Sequence, residues 1–127
     1  MDPSLRVLLI SRDQMLLQTR QLVLGAFFEV DRAGRIREAE TLLAGRRFDL
    51  VVLCYSLAGD ERERVLALIK SQEPQPKILV LSAAGDSITP PSSDYDWMVE
   101  AGPYYLLKGS AELLGVDLKV KGRFLAA

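Results

Sequence analysis

Six residues capable of chemistry stand at the close of short apolar runs. Ser11, Arg12 and Asp13 follow Leu8-Leu9-Ile10, Cys54 follows Leu50-Val51-Val52-Leu53, Ser82 follows Ile78-Leu79-Val80-Leu81, and Lys108 follows Tyr104-Tyr105-Leu106-Leu107. The thiol has two readings. It is either a small buried hydrophobe or a redox-sensitive group, whose ordinary pKa of about 8.5 falls when a cation such as Arg12 or Lys108 lies close. With a single Cys no internal resolving partner exists, and with no His at all, imidazole catalysis and His-metal sites are excluded.

These residues act together only if the runs are neighbouring strands. The strand candidates are Leu5 to Ile10, Phe27 to Val30, Leu50 to Leu53, Ile78 to Leu81 and Tyr104 to Leu107. The runs at 50 and 78 are apolar throughout, as expected where helices cover both faces of a parallel sheet. Between them, Asp13 is placed to cap a helix with Leu16, Thr19, Val23 and Ala26 on one side, ending near Gly25. A second helix turns Ile36, Ala39, Leu42 and Leu43 inward and stops near Gly45. A third, capped by Asp60, does so with Val65, Leu68 and Ile69 and stops before Pro74. The fourth crossover is irregular, because Thr89-Pro90-Pro91 forbids a continuous helix and leaves only a short one over 93–101. After Lys108, Ser110 to Leu114 starts a helix. Val116, Leu118 and Val120 then alternate with polar residues, which suits a strand or a frayed tail. Alternating units of this length favour a doubly wound sheet with its ligand site outside the carboxyl ends of the strands.

The 127 residues fit one domain, with a core over about 5–111 and an atypical segment over 112–127. Sixteen Lys and Arg against 17 Asp and Glu leave a net charge of -1, without the general basic field that nucleic-acid binding relies on. Apolar runs far shorter than the roughly 20 residues of a membrane-spanning helix, and the lack of a secretory signal, read as a cytoplasmic chain with no membrane partner. Tyr95, Trp97, Tyr104 and Tyr105 form a late aromatic cluster, a candidate surface for a protein partner or self-association over 94–108.

The order of these parts resembles bacterial response-regulator receiver domains. The resemblance rests on Asp49 to Gly59, on Ile78-Leu79-Val80-Leu81-Ser82-Ala83, and on Ala101-Gly102-Pro103-Tyr104-Tyr105-Leu106-Leu107-Lys108. It implies the flavodoxin-like fold, a five-stranded parallel sheet of order 2-1-3-4-5. It also implies a pocket in which two acidic residues hold Mg²⁺, an Asp after the third strand accepts a phosphoryl group, and a Ser or Thr and a Lys contact it. Here Ser11-Arg12 stands for the acidic pair, with only Asp13 keeping a carboxylate, and Cys54 for the acceptor. Ser82 and Lys108 match, Gly109 replaces the usual Pro, and Tyr105 falls where the family has its aromatic switch residue.

Mg²⁺ wants hard oxygen ligands, usually including carboxylates. A guanidinium ~5 Å away at effective dielectric ~20 repels each unit of its charge by about 3 kcal/mol. Metal binding and acyl-phosphate formation are therefore expected to be lost, and no cofactor is expected. The chain reads as a degenerate receiver, not an enzyme, acting in signalling through phosphorylation-independent protein contacts. A thiol redox sensor built on Cys54 is the alternative. A flavodoxin-like ligand-binding enzyme ranks third, since Ser11-Arg12-Asp13-Gln14 stands where a Gly-rich phosphate loop would follow the first strand.

Overall fold

The computed structural model describes residues 5–54, 59–82, 96–100 and 102–116. In chain order the elements are β1 (Arg6–Ile10), α1 (Gln14–Gly25), β2 (Glu29–Ala33), α2 (Ile36–Gly45), β3 (Leu50–Leu53), α3 (Gly59–Lys70), β4 (Lys77–Ser82), β5 (Trp97–Glu100) and α4 (Pro103–Leu114). The strands pair in parallel in the order β2-β1-β3-β4-β5.

Side-chain alternation divides the interior into two layers. Leu8, Ile10, Val51, Leu53, Ile78 and Val80 pack with α2 and α3 through Ile36, Ala39, Leu43, Val65 and Ile69. Val7, Leu9, Leu50, Val52, Leu79 and Leu81 pack with α1 and α4 through Leu17, Leu24, Leu106, Leu107 and Ala111. Two aspartates set the strand starts, each placed just before a strand. The Arg6 amide donates to the Asp49 carboxylate at 2.8 Å and the Ile78 amide to that of Asp96 at 2.7 Å.

Several expectations are corrected. The second strand is Glu29–Ala33 rather than 27–30. Helix α1 buries Leu17, Arg20 and Leu24, while Thr19 and Ala26 are exposed, so its inward stripe is rotated by one residue from the expected one. Asp60 lies in the first turn of α3 rather than capping it, because the helix already begins at Gly59.

The largest correction concerns the fifth strand. Tyr104 to Leu107 is helical, and the strand is Trp97–Glu100, inside the span expected to hold a short helix. A four-residue apolar run has no period that tells buried strand from buried helix. The deciding signals are Pro103, whose fixed φ suits a helix start, and the buried face Leu106, Leu107, Ser110 and Ala111 at helical spacing. At the other end Gly115 adopts φ 68, and the Val116 amide returns to the Ala111 carbonyl at 3.0 Å, closing the helix. The expected strand or frayed tail past Val116, over residues 117–127, lies outside the described residues, as do Tyr95 and most of the fourth crossover.

Gly109, which the resemblance sets in the place of a Pro, sits inside α4 facing the sheet. A Cβ there would lie 3.2 and 3.3 Å from the Leu79 methyls and 3.5 Å from Val99 Cγ1. Gly109→Val is expected to lower the unfolding free energy by about 1–3 kcal/mol through overpacking. Urea denaturation followed by circular dichroism measures it.

Candidate functional site

Alternation carries past the strand ends and decides which side chains meet. Ser11 continues the Val7, Leu9 series and Cys54 the Leu50, Val52 series, so both fall on the α1 side of the sheet. Both are fully buried. The Cys54 amide donates to the Ile10 carbonyl and the Ser11 amide to the Ala33 carbonyl, each at 3.1 Å, which fixes the two chain segments side by side.

Arg20 comes down on them from α1. It is 6% exposed, and its Nη1 donates to Cys54 Sγ at 2.6 Å. Arg20 also borders a crevice of about 100 Å³ between α1 and α4. Asp13 caps α1 as expected, its Oδ1 accepting from the amides of Met15 and Leu16 at 3.0 and 3.1 Å. The Ser11 hydroxyl accepts from the Asp13 amide at 3.2 Å.

Burial pushes the Cys54 thiol above its ordinary pKa. The charge of Arg20 and hydrogen bonds from Ser11 and Arg20 pull the other way, and Asp13 adds to the rise. Desolvation wins, so the sulfur is held as a thiol near neutral pH.

The remaining expected site residues are employed elsewhere. Arg12 turns outward and pairs with Glu61 of α3 at 3.0 Å, with its side chain 53% exposed. The cation beside the sulfur is thus Arg20, and neither Arg12 nor Lys108. Ser82 follows Ile78 and Val80 on the opposite face, and its hydroxyl donates to the Val99 carbonyl at 3.3 Å. Lys108 is on the exposed side of α4, not at a strand end, with its Nζ 5.9 Å from the centre of the Tyr104 ring. The strand that does end beside Ser82 closes on Glu100.

Arg20 lies inside a helix and not at a strand end. Its signal was nonetheless present, as an arginine inside the stripe Leu17, Arg20, Leu24, where a charge is out of place unless it has a buried acceptor. Among the described residues, no group of three His, Cys, Asp or Glu side chains could hold a metal ion, and no helix is long and apolar enough to cross a membrane.

Tyr104 and Tyr105 are 46% and 45% exposed, in edge-to-face contact with ring centres 5.4 Å apart. Met15 and Leu22 of the neighbouring helix α1 are 78% and 73% exposed.

The backbone is similar to that of receiver domains of known structure. The chemotaxis protein CheY4 of Vibrio cholerae superimposes with a TM-score of 0.71 at 23% identity, covering 88% of this chain and 100% of that one. The signal receiver domain of an HD-domain-containing protein from Pseudomonas fluorescens gives 0.72 at 22% identity, over 91% and 90% of the two chains. A response regulator receiver protein from Burkholderia phymatum gives 0.72 at 12% identity, over 89% and 97%. No protein-family model matches the chain, and no curated protein does. The likeness is one of fold, a flavodoxin-like sheet of the CheY type.

A raised thiol pKa links stability to pH. Below about pH 8.5 both folded and unfolded chains carry the proton and the contribution is intact. Above it the unfolded chain ionises first, so stability falls by up to about 1.4 kcal/mol per pH unit until the folded thiol also ionises. Urea midpoints of the native chain from pH 7 to 10 are therefore expected to drop more steeply than those of Cys54→Ala. Iodoacetamide should leave Cys54 unlabelled in buffer and modify it fully in urea, as read by intact mass.

Proposed function

We propose that this chain is a degenerate receiver domain that takes part in signal transduction through protein contacts without being phosphorylated. The observation that carries the reading is Cys54. At the end of the third strand of a receiver fold, where the family has its acceptor carboxylate, stands a buried thiol bonded to a guanidinium from α1. A thiol forms no acyl phosphate. Ser11 and Arg12 offer Mg²⁺ one hydroxyl and one fixed positive charge in place of two carboxylates.

Without metal, the charge on a transferring phosphoryl group lacks its usual neutralisation. Lys108, on the outer side of α4, does not supply a substitute. Arg20 already places a positive charge in the interior, and Arg12 with Glu61 ties the β1–α1 turn to α3. Both favour a pocket held in one state, since no added group is available to shift its balance.

The partner is inferred to be a protein, met on the region 94–108 with Tyr104 and Tyr105 as anchors. Aromatic residues exposed as a packed pair provide large contact area at low ordering cost. A thiol sensor is disfavoured, because reactive cysteines are accessible and of low pKa, and Cys54 has neither property. Among the described residues no set supports a catalytic role.

Acetyl phosphate or beryllofluoride with Mg²⁺ is expected to leave both the intact mass and the Trp97 fluorescence unchanged. Cys54→Asp alone should stay unmodified too, because the acidic pair remains absent. A phosphoryl adduct on the native chain, or a Mg²⁺-dependent spectral change, overturns the reading.

A further inference from the structure

A second feature, independent of Cys54, lies at the carboxyl end of edge strand β2. A cleft of about 710 Å³ opens between α1 and α2, with Arg32, Arg35 and Arg37 on its walls. That volume is within the range of small-molecule sites, roughly 300–1,000 Å³.

The charges of this cleft are left over from the rest of the fold. Arg6, Arg12, Arg46 and Arg64 each meet a carboxylate. Arg32, Arg35 and Arg37 form no ion pair among the described residues and stand exposed. The one acidic group lining the cleft, Glu38, is engaged: its Oε1 accepts from the Gly34 amide at 2.9 Å. Against a chain whose net charge is -1, three guanidinia and one carboxylate in one cavity make a local excess of two positive charges.

The cleft is more than a charged surface. Leu42, only partly buried, supplies apolar wall, and Gln14 supplies an amide. Gly34 lets the Gln14 amide lie against the backbone at the cleft, since a Cβ there would collide with it. Guanidinium groups recognise phosphate through paired parallel hydrogen bonds and stack on the faces of planar rings. Apolar wall beside them suits a ligand with a non-phosphate portion.

We propose that this cleft binds a phosphorylated small molecule of nucleotide size, its phosphates on Arg35 and Arg37 and its organic part against Leu42. The cleft shares no lining residue with the third-strand site, so failure of this proposal leaves the interaction reading untouched.

The test is an amide-resolved NMR titration of the full chain with ATP, and separately with pyrophosphate, at physiological salt. ATP is expected to shift the Gly34 and Arg35 amides and saturate below millimolar concentration, more tightly than pyrophosphate. The double variant R35A/R37A is expected to bind about tenfold or more weakly with unchanged melting. Arg35→Lys, which keeps the charge but not the paired hydrogen bonds, is expected to fall between. No shift at these amides, or equal affinity for pyrophosphate, overturns the proposal. So does a single-stranded oligonucleotide or an acidic peptide that moves the same amides at lower concentration than ATP.

Discussion

A guanidinium buried at the carboxyl edge of a sheet covered on both faces must find an acceptor, and this constraint organises the centre of the molecule. Desolvating an ion costs several kcal/mol even after relaxation, so it persists only where hydrogen bonds offset the loss. Arg20 meets Cys54, and Cys54 is held in reach by the Ile10 carbonyl behind it. The thiol is a weak acceptor beside a carboxylate, yet it carries no charge of its own to desolvate. The price of that choice is chemical: a neutral sulfur keeps the interior quiet but gives up any reaction that needs an anionic oxygen there.

The same constraint sorts the neighbouring polar groups. With the interior positive charge supplied from α1, Arg12 is released to the surface, where a pair with Glu61 contributes at most about 1 kcal/mol. Asp13 serves α1 as its cap. Each of these strand-end positions has a structural duty.

Much of this was legible in the sequence. The four-strand core β2-β1-β3-β4 follows from apolar runs separated by helix-period stretches, and Asp13, Gly25 and Gly45 mark the helix ends close to where they fall. Ser11, Cys54 and Ser82 were found as strand-end residues because a parallel sheet places every carboxyl end on one edge. The exchange of strand and helix beyond position 96 was not legible from periodicity, since Trp97–Glu100 and Tyr104–Leu107 are both four residues long; only Pro103 and the spacing of Leu106, Leu107 and Ala111 separate them. That exchange removed Lys108 from the site. Arg20 is hidden for the opposite reason: the periodicity of its helix is plain, but the stripe Leu16, Thr19, Val23 lies one residue out of phase with the buried Leu17, Arg20, Leu24.

Gly109 has a mechanical result. Where a helix adds no side chain of its own to its contact with a sheet, Leu79 and Val99 act as a seat, and the spacing cannot change without moving two strands. The tyrosine pair at the head of that helix is thereby held on a stiff mount. A docking protein would meet an already ordered surface and lose little motional freedom in forming the complex.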